Sequence, residues 1–191
     1  GIYRRLQRHF DRQAIGFPGP IGGADLRLLL RLFTRAEAML ALHLDDIPAA
    51  TTDIERRAAA EFPPGNVSRL LGAMRAKGAI GWKQRGGLDL WYLMPLVIGM
   101  YEQQDGRPSR EFLDDADAYM STLSFGRSFV NVKPSQMRTI PIGRSIPVDH
   151  PVATYDQVRA LVESSIGPFV VIPCICRRKQ EMKERPCAMT K

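Results

Sequence analysis

The sequence predicts a mixed α/β (α+β) chain: a helical N-terminal half closed by a β-hairpin, then a small strand–helix–strand unit that carries a cysteine cluster. Three observations predict it. Apolar residues recur at helical spacing as far as Met74, and Thr34-x-x-Glu37 and Thr52-x-x-Glu55 match the capping box that opens a helix. The glycine-rich loop Gln84-Arg85-Gly86-Gly87 separates two short runs, one holding Trp82 and the other Trp91, which is a hairpin signal. Three cysteines, Cys174, Cys176 and Cys187, all fall after residue 173.

Residues 1–22 read as an amphipathic helix and a linker. Ile2-Tyr3-x-x-Leu6-x-x-x-Phe10 makes an apolar stripe with arginines between, expected to dock on the domain rather than to lie on a membrane. Gly16-Phe17-Pro18-Gly19-Pro20 is the linker by its Gly/Pro density. Residues 23–100 hold the next helices. Leu26, Leu29, Leu30 and Phe33 define one face, Thr34 caps a helix running to Leu44, and Thr52 caps one running to about Phe62. After Pro63-Pro64-Gly65, Asn66 caps a helix with Val67, Leu70, Leu71 and Met74 inward. The hairpin arms are 79–83 and 88–94. Three helices followed by a hairpin is the winged-helix layout. Over residues 34–94, Ala73-Met74-Arg75-Ala76-Lys77-Gly78-Ala79-Ile80 resembles the end of a MarR-type recognition helix entering its wing.

Residues 101–173 continue with a helix through Phe112, Leu113, Ala116, Tyr119, Met120 and Leu123. Its other face, with Asp114, Asp115 and Asp117, is expected to be solvated. Residues 137–148 alternate enough for an edge strand, given their prolines. Thr154-x-x-Gln157 opens a helix to about Ser165, and residues 168–173 read as a buried-type strand. Residues 174–191 form the cysteine segment, expected to start with Cys174 at the strand end and to have no core of its own.

Composition excludes several classes. At 191 residues, 45% hydrophobic and 25% charged, the chain buries a core and is not disordered. The longest apolar run, residues 166–176, is eleven residues, short of a bilayer span. The basic residues 1–10 have no apolar stretch behind them, unlike a secretory leader, and the clustered thiols fit a reducing cytoplasm. The net charge of +7 sits at the ends: +3 over residues 1–14 and +4 over residues 174–191. Between them the signs balance, although residues 62–88 carry five cations and no acid, while residues 102–117 net −4.

The cysteines are the chemical feature. Buried thiols at a strand end are one reading, and a Cys174–Cys176 disulfide would close a strained ring. Metal ligation suits the spacing better, since two thiolates leaving a strand and a third returning after a short loop converge on one centre. Zinc in a closed site and an iron–sulfur cluster each take four ligands, and His150 lies far upstream.

From about Met137 onward the chain resembles a family of bacterial and archaeal four-iron four-sulfur proteins with ferredoxin-like regions. The resemblance rests on Ile140-Pro141, on Tyr155-Asp156-Gln157-Val158, on the run Phe-Val-Val-Ile-Pro-Cys-Ile-Cys-Arg over 169–177, and on Pro186-Cys187. Family members also carry a helical, winged-helix-like front end. The resemblance implies an iron–sulfur (4Fe-4S) cluster with Cys174, Cys176 and Cys187 among its ligands, and a fourth cysteine placed after Lys191. On residues 1–191 the cluster is therefore expected to be absent or incomplete. The function implied is electron transfer as a ferredoxin-like oxidoreductase component rather than a stand-alone enzyme. Its partner would be a redox protein or another iron–sulfur subunit, and a homo-oligomer is compatible.

The alternative is a winged-helix transcriptional regulator that senses metal or redox state through the same cysteines. Its DNA contacts would come from Arg69, Arg75, Lys77, Lys83 and Arg85. Against this, the outward positions of the third helix offer arginines for base edges but no Asn or Gln for adenine. Other chemistry is thin. His9, His43 and His150 are scattered, and Gly16-x-x-Gly19-x-x-Gly22 follows no strand, so it reads as linker rather than phosphate loop.

Overall fold

In the computed structural model, which describes residues 1–63, 65–104, 108–131, 154–167, 169, 173–185 and 187, the stripe Ile2, Leu6 and Phe10 is the buried side of α1 (Ile2–Phe10). Phe10 sets its ring against Phe17 of the linker and Phe33, with centroids 5.9 and 6.0 Å apart. Burial on α2 (Ala24–Leu32) is rotated from the face expected. Ala24, Asp25, Leu28, Leu29 and Leu32 are buried, while Leu30 is 56% exposed. Leucines surround this helix, so periodicity alone cannot choose a face; packing against α1 and α6 chooses it.

The Thr34 capping box forms at the start of α3 (Arg35–Ala41). The Thr34 N–H donates to Glu37 Oε2 at 2.7 Å, and the Glu37 N–H donates to Thr34 Oγ1 at 3.4 Å. The Thr52 box does not form. Helix α4 (Thr51–Ala58) is preceded by Ala50, which belongs to strand β1 (Ala49–Ala50) and pairs with Leu90, so the sheet sets where the helix starts. Helix α5 (Asn66–Ala76) is capped by Gly65 in the left-handed region rather than by Asn66, whose Oδ1 instead accepts from Arg69. Val67, Leu70, Leu71 and Met74 face inward as expected.

Strands β2 (Gly81–Arg85) and β3 (Leu88–Tyr92) pair antiparallel, with Trp82 opposite Trp91 and Arg85 opposite Leu88. Gly86 and Gly87 both have positive φ (59° and 76°), the conformation a two-residue hairpin turn needs to match strand twist. The sheet order is β1-β3-β2. Mixed helices and this small antiparallel sheet make the chain α+β. Helix α6 (Arg110–Met120) is capped by Ser109 and buries Phe112, Leu113, Ala116 and Tyr119. Leu123 does not extend it but opens α7 (Leu123–Val130), capped by Thr122, and is itself exposed.

Two units divide the chain: Gly1–Gln136 together with Pro173–Lys191, and Met137–Ile172. The first therefore takes in the N-terminal helix, the helices and sheet, and the cysteine segment. Its core is one cluster running from Ile2 to Ile175. In the second, α8 (Tyr155–Ser164) carries the Thr154/Gln157 capping box the sequence predicts. The strand expected over 137–148 and His150 lie outside the described residues. Of residues 168–173, Phe169 and Pro173 are described, and neither is in a strand. No helix among the described residues is long and apolar enough to cross a membrane.

Candidate functional site

The cysteine segment is helical from Ile175 to Met182, while residues 170–172, in the strand expected just before it, lie outside the described residues. Cys174 is the N-cap of α9 (Ile175–Met182), and Ile175 is its buried anchor at 6% exposure. Because Ile175 turns into the core, Cys174 and Cys176 on either side of it are exposed. Their thiols hydrogen-bond to each other, and Cys174 also accepts from the backbone N–H groups of Arg177 and Cys176. These amide contacts hold the Cys174 thiol below its ordinary range, as expected for sulfur at a helix N-terminus. Burial pushes the Cys176 thiol up, and the neighbouring Cys174 adds to the shift. Behind the pair lies Tyr101, whose phenol burial and then the charge of Cys176 push far up.

Helix α9 is held on α6 by charge. Lys179 and Lys183 both reach Asp117, the latter at 2.8 Å, and Lys183 lies 3.9 Å from Asp114. Asp115 is buried and takes one arginine of α2 on each oxygen, Arg27 and Arg31, both at 2.6 Å. The solvated acidic face expected of α6 is thus corrected: long-range cations fold back onto it. The positional signal existed in the lysines at 179 and 183, one helical turn apart, but their acidic partner lies more than sixty residues upstream.

Cys174 and Cys176 stand on either side of Ile175 at the start of α9, and Cys187 is half-buried. Among the described residues no three His, Cys, Asp or Glu side chains converge on a point that could hold a metal. The donor chemistry of the pair nonetheless fits a thiophilic metal, with two exposed thiols one residue apart and one biased toward thiolate.

The five cations of residues 62–88 do not act as one array. Lys77 is spent on Glu37, which is buried. Arg69 donates to Asn66 Oδ1 at 3.0 Å on its own helix. Arg75 lies over the Trp82 ring at 3.5 Å, while Lys83 and Arg85 are exposed on β2. The acidic run 102–117 does not answer this patch; in the described residues its carboxylates meet Arg27, Arg31, Lys179 and Lys183. His9 contacts the Leu44 carbonyl at 2.7 Å and His43 contacts Glu61 at 3.3 Å, so neither joins a metal or nucleophile cluster.

Comparison with protein-family models, with curated proteins and with solved structures returns no match.

Proposed function

We propose that this chain supplies thiolate ligands to an iron–sulfur (4Fe-4S) cluster and serves electron transfer as a ferredoxin-like component. The observation that carries the reading is the Cys174–Cys176 pair: two exposed cysteines at the start of α9, flanking a residue anchored in the core. Cys174 and Cys176 would hold the cluster from one side, and Cys187 joins them by a change in its own segment or leaves its place to another ligand. When bound, such a cluster accepts and releases one electron. The chain's own part is to present the thiolates, to screen one side with Tyr101 and the apolar core, and to keep α9 seated through Asp117. The basic residues Arg177, Lys179 and Lys183 lie on the same helix and offset the negative charge of a thiolate-ligated cluster.

Anaerobic reconstitution with iron and sulfide, followed by visible absorption and electron paramagnetic spectra, tests this. Broad sulfur-to-iron absorption that depends on both Cys174 and Cys176 is expected, and its persistence in the Cys174→Ser, Cys176→Ser double variant would sink the assignment.

A second reading is the winged-helix regulator, with α3, α4 and α5 as the three helices and β2–β3 as the wing. It is favoured by the exposed Lys83 and Arg85 beside the hairpin turn, where a wing meets phosphates. Duplex binding whose affinity falls with salt by a slope worth several phosphates would support it over the redox reading.

A further inference from the structure

We propose that the free edge of β2 binds an extended acidic peptide, which adds to the sheet as a further strand. The sheet order β1-β3-β2 leaves β3 paired on both sides and β2 on one. Strand β2 packs on β3, while β1 and α4 also lie against β3, so among the described residues no strand or helix covers the outer side of β2.

The register decides which groups that edge presents. Gly86 and Gly87 make a two-residue turn, so the flanking pair Arg85 and Leu88 is hydrogen-bonded, and bonded pairs alternate from there. Arg85, Lys83 and Gly81 therefore spend their N–H and C=O groups on β3. Those of Trp82 and Gln84 point away from it, a donor and an acceptor from each at strand spacing. Among the described residues, no backbone hydrogen bond from a turn, loop or other element reaches residues 81–85.

Side chains choose the partner. Lys83, Gln84 and Arg85 are exposed, and in the hairpin Lys83 faces Leu90 and Arg85 faces Leu88 rather than acids. Lys83 and Arg85 share one face by alternation. An incoming strand with a carboxylate at every second position lays its acids beside them, the favourable cross-strand pairing. The same cations set the β2 edge of a second copy against like charge, one way an edge is kept from pairing with itself. A nucleic-acid backbone matches less of the edge. Phosphates accept hydrogen bonds and donate none, so the carbonyls of Trp82 and Gln84 would stay unpaired. An extended peptide brings donors and acceptors alike, which is how strand addition to an exposed edge gains its affinity. The surface is separate from the cysteine pair and stands whether or not a cluster binds there.

The test is titration of the whole chain with a labelled seven-residue peptide alternating glutamate and valine, read by fluorescence anisotropy. Its controls are the same peptide with lysine for glutamate, the acidic peptide with its backbone amides N-methylated, and a short DNA duplex. Saturable binding is expected of the acidic peptide alone. It should weaken about ten-fold or more in the Lys83→Glu, Arg85→Glu double variant. A similar loss is expected in Gln84→Pro at an unchanged melting temperature, because proline there removes an N–H on the free edge and none inside the hairpin. In the complex, hydrogen exchange at the Trp82 and Gln84 amides should slow about ten-fold or more, while that at Lys83, already bonded to β3, stays as it was. The proposal is overturned if the N-methylated peptide binds as well as the acidic parent, or if the Trp82 and Gln84 amides keep their exchange rates. It is equally overturned if no peptide saturates, or if the duplex alone binds through Lys83 and Arg85.

Discussion

Asp115 holds a guanidinium on each carboxylate oxygen while lying almost out of solvent on α6, so one residue joins α6 to two successive turns of α2. Burial works against its charge, but the hydrogen bonds from Arg27 and Arg31 outweigh burial and hold the carboxyl below its usual range. A folded-state pKa below the unfolded one stabilises the fold above the unfolded value of about 4, and that contribution disappears as pH falls through the lower folded value. Asp115→Asn should therefore cost about 1–2 kcal/mol near neutrality, a modest figure because both arginines are more than a third exposed. The cost should shrink once the wild-type carboxyl is protonated. Urea melts at about pH 7 and about pH 3 check this; an equal loss at both would show that packing, not charge, is what Asp115 supplies. Glu37 joins elements in a similar way, completing the Thr34 cap while taking Lys77 of the α5 end. Thr34→Ala should cost about 1 kcal/mol, seen as a shift of the urea midpoint at unchanged slope.

At the scale of elements, the cysteine helix is the one whose position decides the site. Helix α9 has eight residues, too few to persist on propensity alone, so it depends on Ile175 and on the lysine contacts to α6. Ile175→Ala removes the apolar anchor, at about 2–4 kcal/mol for a site this buried. The cost should appear as local opening of α9 rather than global unfolding. Trypsin cleavage at Arg177 and Arg178 should accelerate while amide protection in α1, α2 and α6 stays as it was; unchanged cleavage would mean the lysine pairs alone seat the helix. What the sequence made legible at this scale was local. The Thr34 and Thr154 boxes and the Gly86-Gly87 turn involve residues a few positions apart, and all three form where the pattern places them. The Thr52 box has the same pattern and does not form, because pairing of Ala50 with Leu90, forty residues away, fixes the chain first. The helix that begins at Ile175 was missed for a related reason. The Phe-Val-Val-Ile run before Pro173 has strand composition, and nothing within it announces that Ile175 will find a core built from residues far upstream. The cysteine pair itself was legible from spacing, whereas the Asp117 clamp behind it and the placing of Arg75 over Trp82 depend on contacts that spacing does not encode.

For the whole molecule, the charge placement read from the sequence acquires a purpose. Part of the basic charge at the two ends is spent on the body: Arg4 reaches the buried Asp25 at 2.7 Å, and Lys179 and Lys183 reach Asp117, while Arg5, Arg8, Arg12, Arg177 and Arg185 stay exposed. The apolar core follows the same division, since all its buried members among the described residues, from Ile2 to Tyr119 and then Ile175, belong to the first unit. In the second unit, α8 leaves Tyr155, Val158 and Leu161 exposed, Leu161 at 68%. Stability measured on the whole chain should therefore report on the first unit. Leu28, fully buried on α2, should cost about 2–5 kcal/mol on truncation to Ala. For a unit of this size that lowers the main thermal transition by roughly 5–15 °C. Leu161→Ser should move the same transition by less than about 1 °C, because no buried contact is lost. Calorimetric scans of the two variants decide between the first unit standing alone and a fold that needs α8. A drop for Leu161→Ser comparable to that for Leu28→Ala would mean that the apolar face of α8 is covered in solution and that the two units melt as one.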